Sequence, residues 1–175
     1  MTLGEMKKKA LSMITEYSEN EDTLTTDSDI AGKLPHVIDQ IQFELAQIKK
    51  LPTKVTFNYT TSYVFDLPQD FYKIKKVTCD YEIYDKKIEL YTDEKSIDMY
   101  YYKYPKKIDE NSADSDEIEV DPDCQNAMPY GIVADIMKGD PSDVYKDYAN
   151  RYVELKNQLS VLTQLYFIDT TNAID

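Results

Sequence analysis

Tyr63-Val64-Phe65-Asp66-Leu67-Pro68-Gln69-Asp70-Phe71-Tyr72 is the stretch that decides how this chain folds. Tyr63, Phe65 and Leu67 lie two apart and so share one face of a strand, while Pro68 has no amide hydrogen with which to carry a ladder further. The strand must end there. Asp70 is then expected to hold nearby backbone amides through its carboxylate, and Phe71 to fold back onto a helical layer before Ile74 and Val77 begin another strand. Phe65, Leu67, Pro68 and Phe71 together read as a buried corner of the core.

From residue 54 to 104 the apolar period is two. Val55, Phe57 and Tyr59 alternate with polar residues, which predicts a strand at 55–59 paired with one at 63–67 through a turn near residues 60–62. Further strands are expected at 73–79, 88–92 and 96–104, making one small, mainly antiparallel sheet. In the run Tyr100, Tyr101, Tyr102 and Tyr104, consecutive strand residues point to opposite faces. One subset therefore belongs to the core and the other to the surface or to an interface.

Helical periods flank this segment. Thr2 and Glu5 have capping-box spacing, and Leu3, Met6, Ala10, Met13, Ile14 and Tyr17 trace one buried face over residues 3–17. A polar loop at 18–27 leads to a second stripe, Ile30, Leu34, Val37, Ile38, Ile41, Leu45 and Ile48, for a helix over 29–51 that ends near Leu51-Pro52. An interior proline costs about 3 kcal/mol, so the main helix is expected to begin at Pro35 after a short turn.

Residues 105–120 read as an exposed, mobile acidic loop. Asp121-Pro122 then starts a helix over 122–138, with Pro129 kinking it and Gly131 marking close approach of another backbone. Asp140-Pro141 opens the last helix, 141–166, striped by Tyr145, Tyr148, Ala149, Tyr152, Leu155, Leu159 and Leu162. Residues 167–175 form an uncapped tail expected to be flexible until docked. The whole reads as a single α+β domain over 1–175: a bundle of about four helices, with the sheet inserted between the N-terminal and C-terminal helix pairs.

At 175 residues and 42% hydrophobic content the chain can bury a core, and no apolar run approaches the roughly 18 residues of a membrane span. Lys7, Lys8 and Lys9 interrupt the apolar residues of the first seventeen positions, unlike the continuous block of a secretory signal, so an intracellular protein is expected. Cys79 and Cys124 lack ligand-like spacing and read as free thiols. With 33 acidic residues against 20 basic ones, a net charge of −13 and Arg151 as the only arginine, specific nucleic-acid recognition is not expected. A surface that lets DNA slide past without gripping it is compatible with that charge.

Catalytic chemistry has little to work with. His36 is the one histidine and has no neighbouring Cys, Ser or second His in sequence; four glycines form no phosphate-cradling loop. Asp27, Asp29 and Gly32 imitate part of a calcium loop, but Ala31 and Ile38 stand where oxygen ligands belong. Asp109, Asp114, Asp116, Glu117, Glu119, Asp121 and Asp123 read as a solvated acidic run rather than a cation site. No enzymatic activity, metal or cofactor is expected.

Three features taken in order resemble the head-tail connector (adaptor, or head-completion) proteins of tailed bacteriophages. They are the N-terminal helical pair over 3–51, the strand break at Leu67-Pro68-Gln69-Asp70-Phe71, and the late Asp121-Pro122 helix, with Ala127, Tyr130 and Ala134, ahead of Asp140-Pro141 and the Tyr/Leu-striped helix. The tyrosine-rich sheet and Pro129 depart from that pattern. What the resemblance implies is a structural protein of the virion neck, present in the bacterial cytoplasm during assembly, with the portal and tail or neck proteins as partners. It also implies a dodecameric ring that lines the DNA channel. Within that picture Tyr100, Tyr102, Tyr104, Asp114, Asp116 and Glu117 are candidates for ring or lumen contacts, and Tyr166, Phe167 and Ile168 for docking on the portal. The competing expectation is a small intracellular bacterial protein-binding module that uses the tyrosine-rich sheet as its surface.

Overall fold

Thr2 and Glu5 close the capping box: the Thr2 amide donates to Glu5 Oε2 (2.9 Å) and the Glu5 amide to Thr2 Oγ1 (3.2 Å). Helix α1, Leu3–Thr15, follows directly. The computed structural model describes residues 1–15, 28–59, 62–138 and 143–171, with the side chains of residues 15, 28, 29 and 162–171 outside the description. The predicted polar loop at 18–27, part of the predicted turn at 60–62 and the Asp140-Pro141 pair lie outside the described residues, and the last helix begins at Tyr145 rather than at residue 141.

The architecture is α+β, and the described residues form four α-helices and two three-stranded antiparallel sheets. After α1 come helix α2 (Ser28–Ile48) and six strands: β1 (Leu51–Asn58), β2 (Val64–Asp66), β3 (Phe71–Val77), β4 (Asp80–Tyr84), β5 (Lys87–Tyr91) and β6 (Ser96–Lys103). A 3₁₀ turn (Pro122–Asn126), helix α3 (Met128–Ile136) and helix α4 (Tyr145–Thr171) complete the chain. Where the sequence suggests one domain, the chain forms two compact units, one of residues 1–49 and 105–175 and the other of residues 50–104.

The helical unit buries the stripes its helices predict: Leu3, Met6, Ala10 and Ile14 of α1, Leu34, Ile38, Ile41 and Leu45 of α2, Met128, Ile132 and Val133 of α3, and Tyr148, Tyr152 and Leu159 of α4. Three of its proline and glycine positions differ from expectation. Pro35 lies inside a continuous α2 rather than at its start. Its missing amide orphans the carbonyl of Ala31, and Ala31 is exposed, so water is at hand for that oxygen while Leu34 and Pro35 are buried. Pro129 does not kink a single helix over 122–138. The 3₁₀ turn ends at Asn126 and Pro129 occupies the first turn of α3, where its missing amide costs no hydrogen bond. Gly131 does mark a close approach, but of side chains: a Cβ there would stand 2.9 Å from the Tyr152 ring and 3.1 Å from Ile41 Cδ1. Helix α2 also stops at Ile48, and Leu51 and Pro52 open β1 instead; Pro52 is tolerated because β1 is an edge strand. At the other end α4 runs to Thr171, five residues beyond its expected limit at 166.

The β unit is two sheets rather than one, ordered β1-β6-β3 and β2-β5-β4. The expected hairpin between the strands at 55–59 and 63–67 does not form: β1 pairs with β6 from Leu51↔Lys103 to Asn58↔Ser96, and β2 pairs with β5. The true two-residue hairpin joins β4 and β5 across Asp85 and Lys86, whose φ values of 47° and 61° give the doubly left-handed turn that suits strand twist. Without the usual glycine, that turn and strand β4 go unmarked in the sequence. Phe57, Ile88, Leu90, Ile97, Met99 and Tyr101 from both sheets share the core of this unit, and Phe57 and Phe65 stack with centroids 4.8 Å apart.

Candidate functional site

The strand break does what its proline requires, since β2 ends at Asp66, and the Phe71 amide closes a turn on the Pro68 carbonyl (3.0 Å). Phe65, Leu67, Pro68 and Phe71 are half-buried. Phe71 packs in the core of the β unit, 5.8 Å between ring centroids from Tyr101, which corrects its expected place against a helical layer. The Asp70 carboxylate, expected to hold backbone amides, accepts the Tyr101 hydroxyl (2.9 Å). That bond and burial push the Tyr101 hydroxyl up to about 12, burial contributing most.

On the opposite face of β6 the tyrosines sort as strand geometry demands. Ile97, Met99 and Tyr101 point into the core, Tyr100 and Tyr104 are exposed, and Tyr102 is half-buried. Strand β3 extends this outer face by an unusual pattern. Its register with β6 shifts between Phe71 and Lys73 and again between Ile74 and Lys76, so Phe71, Ile74 and Val77 all reach the core with two exposed residues between each pair. The exposed pairs are Tyr72-Lys73 and Lys75-Lys76. Lys54 of β1 and Lys76 of β3 then flank Tyr100 in register, and Lys73 pairs with Tyr102. Lys50 stands 5.8 Å from the Tyr72 ring centroid and 5.5 Å from that of Tyr102, with Lys75 over the same Tyr102 ring at 5.8 Å. Tyr72 and Tyr104 are in ring contact at 4.9 Å. Asp98 also lies here, accepting from Lys54 (2.9 Å) and Thr56 (2.6 Å), and these bonds, Thr56 foremost, hold its carboxyl below the ordinary range.

This lysine–tyrosine face stands out against the charge of the chain. Residues 50–104 hold as many lysines as carboxylates, nine of each, so the net −13 belongs entirely to residues 1–49 and 105–175.

In the helical unit the acidic run 105–123 is a fastened strap rather than a free loop. The first amides of α1 have no partners within their own helix, and two of them donate to the strap: Leu3 to the Asp116 carbonyl (2.8 Å) and Gly4 to the Asp114 carbonyl (2.9 Å). Gly4 permits this because a Cβ there would stand 3.0 Å from Asp114 Cβ. Thr2 and Glu117 bridge in antiparallel fashion, and the Ile118 amide donates to the Met1 carbonyl (3.1 Å). From the other side, the fully buried Gln42 donates to the Lys106 carbonyl (2.9 Å) and accepts from the Glu119 amide (2.8 Å), while Asp39 accepts from the Ile108 amide (2.8 Å). Sequence reasoning missed Gln42 and Asp39, since a polar residue at helical spacing gives no sign that its partners lie 64 to 77 residues away.

The carboxylates of the strap disperse along it. Asp114 pairs with Lys7 (2.8 Å), which keeps its carboxyl low, Asp116 with Lys106 (3.3 Å), and both Asp121 and Asp123 with Lys49. Glu110 and Glu117 are exposed, the former 3.4 Å from the exposed His36. Among the described residues no group of three or more His, Cys, Asp or Glu side chains could hold a metal.

Helix α4 offers a third surface. Tyr148 donates to the Met13 carbonyl (2.9 Å) and Tyr152 to Glu44 (2.8 Å), a carboxylate that also pairs with Lys156. Burial, then the Glu44 bond, raises the Tyr152 hydroxyl far above the ordinary tyrosine value. Beyond these anchors the outward side carries exposed Val153 and Val161, and an open groove runs along Glu154, Asn157, Gln158 and Val161. Tyr166, Phe167 and Ile168 continue the helical backbone, and their side chains lie outside the description. Cys124 is the buried residue of the 3₁₀ turn, where burial, with Asp121 adding to it, pushes its thiol up to about 12; Cys79 is half-buried, and both are free. No described helix is long and apolar enough to cross a membrane. No protein-family model matches the chain, and no curated protein matches it either.

Proposed function

We propose that this chain is a structural head-tail connector of a tailed phage or prophage, a subunit of a ring beneath the portal that joins capsid to tail and lines the DNA channel. The observation that carries the reading is the order of elements: two N-terminal helices, an all-β unit interrupted by the Leu67-Pro68 break, then two C-terminal helices that complete the first core. The concentration of the −13 charge in the helical unit supports it, since a wall of like charge lets a polyanion pass without adhering. The role is mechanical, with the portal, tail or neck proteins and further copies of the chain as partners, a dodecamer as the assembled state, and the virion neck as its place.

The portal contact is assigned to the outward side of α4 and its end, including residues 166–168. The test is to mix full-length protein, and a version ending at Tyr166, with the portal ring of the same genome and to image the product by electron microscopy. Added ring density is expected with the full chain and reduced occupancy with the short one. No added density with the full chain overturns the connector, and equal occupancy overturns only the role of the α4 end.

The exposed tyrosines Tyr81, Tyr84, Tyr91 and Tyr100 favour a second reading, a small intracellular protein-binding module. A portal or capsid gene beside this one in its genome decides against that reading.

A further inference from the structure

We infer that the lysine–tyrosine face of the β1-β6-β3 sheet docks the acidic strap of a second copy of this chain, in a head-to-tail contact that repeats from subunit to subunit. The inference rests on the connector reading and names the surfaces that would build its ring. Two facts point to a like copy. Each chain carries both halves of a complementary pair on different units, the exposed Lys73, Lys75 and Lys76 on one and the exposed Glu110 and Glu117 on the other. A molecule with two different, mutually complementary patches associates heterologously, and such contacts either close into a ring or run on as a filament.

Both halves are pre-organised, which lowers the ordering cost of association. The bulges of β3 hold Lys73, Lys75 and Lys76 on the exposed face, and Lys50 and Lys75 lie against the tyrosine rings, so the cationic surface sits on a strand rather than a loop. The strap is pinned by α1 on one side and by Gln42 on the other, and Glu110, beside the exposed His36, and Glu117 remain exposed on it. Nucleic acid suits the same face less well. The face has no arginine for forked phosphate contacts.

The test is a charge swap on the full chain, read by sedimentation velocity over a concentration series into the high micromolar range at low salt. The wild type is expected to associate with increasing concentration and to lose that association in high salt. Lys73→Glu/Lys75→Glu/Lys76→Glu and Glu110→Lys/Glu117→Lys should each weaken it by roughly tenfold or more, and the five substitutions combined in one chain should recover it. Circular dichroism of each variant establishes that it folds. Absence of association by the wild type, unchanged association by both variants, or failure of the combined chain to recover each overturns the inference. So does tight binding of a single-stranded oligonucleotide at physiological salt that the triple variant abolishes. Decoration of the portal ring separates the two readings: equal decoration by wild type and triple variant overturns the docking face and leaves the connector standing. No decoration, with the charge swap behaving as expected in solution, overturns the connector and leaves the face standing.

Discussion

The helical unit and the β unit solve the problem of burying a core in different ways. In the first, Leu3, Met6, Ile38, Leu45, Met128 and Ile132 are shut off from solvent entirely, and the strap adds Ile108, Ile118 and Val120. In the second, six buried residues hold two sheets together, their neighbours Val55, Phe65, Leu67, Phe71, Ile74 and Val77 are only partly covered, and every residue of β4 is exposed. The thinner core leaves more side chains free to face outward, and those side chains are tyrosine and lysine. Stability concentrates in one unit and surface chemistry in the other.

The contrast breaks most directly at matched core sites. Ile132→Ala removes a fully buried side chain from the helical core and should cost about 4 kcal/mol, whereas Phe71→Ala, at a half-buried ring, should cost about 2 kcal/mol. Amide exchange by mass spectrometry assigns each loss to its own unit. Equal costs, or loss of protection in both units from Phe71→Ala alone, would show that the two cores act as one.

Alkali should separate the units next. Cys124 and Tyr101 hold their protons more tightly in the folded chain than in the unfolded one, so each contribution is complete below the unfolded value, 9.0 for the thiol and 10.0 for the phenol. Each is lost as pH rises towards about 12. The helical unit should weaken first, by on the order of 3 kcal/mol through Cys124, and the β unit later and less, by on the order of 2 kcal/mol through Tyr101. Urea unfolding between pH 8 and 11 checks the order, and Cys124→Ala should flatten only the earlier loss.

Gln42→Leu sharpens the comparison within the helical unit. It keeps apolar volume but strands the Lys106 carbonyl and the Glu119 amide, for about 2 kcal/mol, with exchange protection lost at residues 105–120 before the helices. An unchanged strap in that variant would remove Gln42 from its holding role. At the bottom of the scale, Lys54→Ala breaks an exposed pair with Asp98 and should leave the unfolding midpoint where it is.

The helical unit was the more legible of the two in the sequence. Its stripes recur at three and four residues, and Asp121-Pro122 announces its own turn, with the Asp121 carboxylate accepting from the Asp123 amide at 3.0 Å. The β unit was legible in the existence of its strands other than β4 and in the alternation at Tyr100–Tyr102, but not in pairing. Period two tells which face a residue takes and nothing about its neighbour, so β1 and β2 read as a hairpin while β1 in fact joins β6, some forty residues on. Strand β3 hid its bulges behind a period of three, and β4 hid because an edge strand exposed on both sides has no apolar alternation to display. Among the candidate contact residues, Tyr100, Tyr104, Asp114 and Glu117 are exposed and Tyr102 and Asp116 half-buried, yet the lysines between the tyrosines gave no signal until β3 was seen beside β6.

The strap over the start of α1 has a consequence for synthesis. The amides of Leu3 and Gly4 find their partners at Asp116 and Asp114, more than a hundred residues later, so the first helix made is among the last to be completed. On the ribosome the segment 50–104, with all its strand pairings internal, can close while residues 1–49 wait, and only the emergence of residue 118 and the helices after it lets the N-terminal pair find its core. Pulse-labelled refolding should accordingly protect amides of the six strands before those of residues 3–15, and the reverse order would show that α1 and α2 pair without the strap.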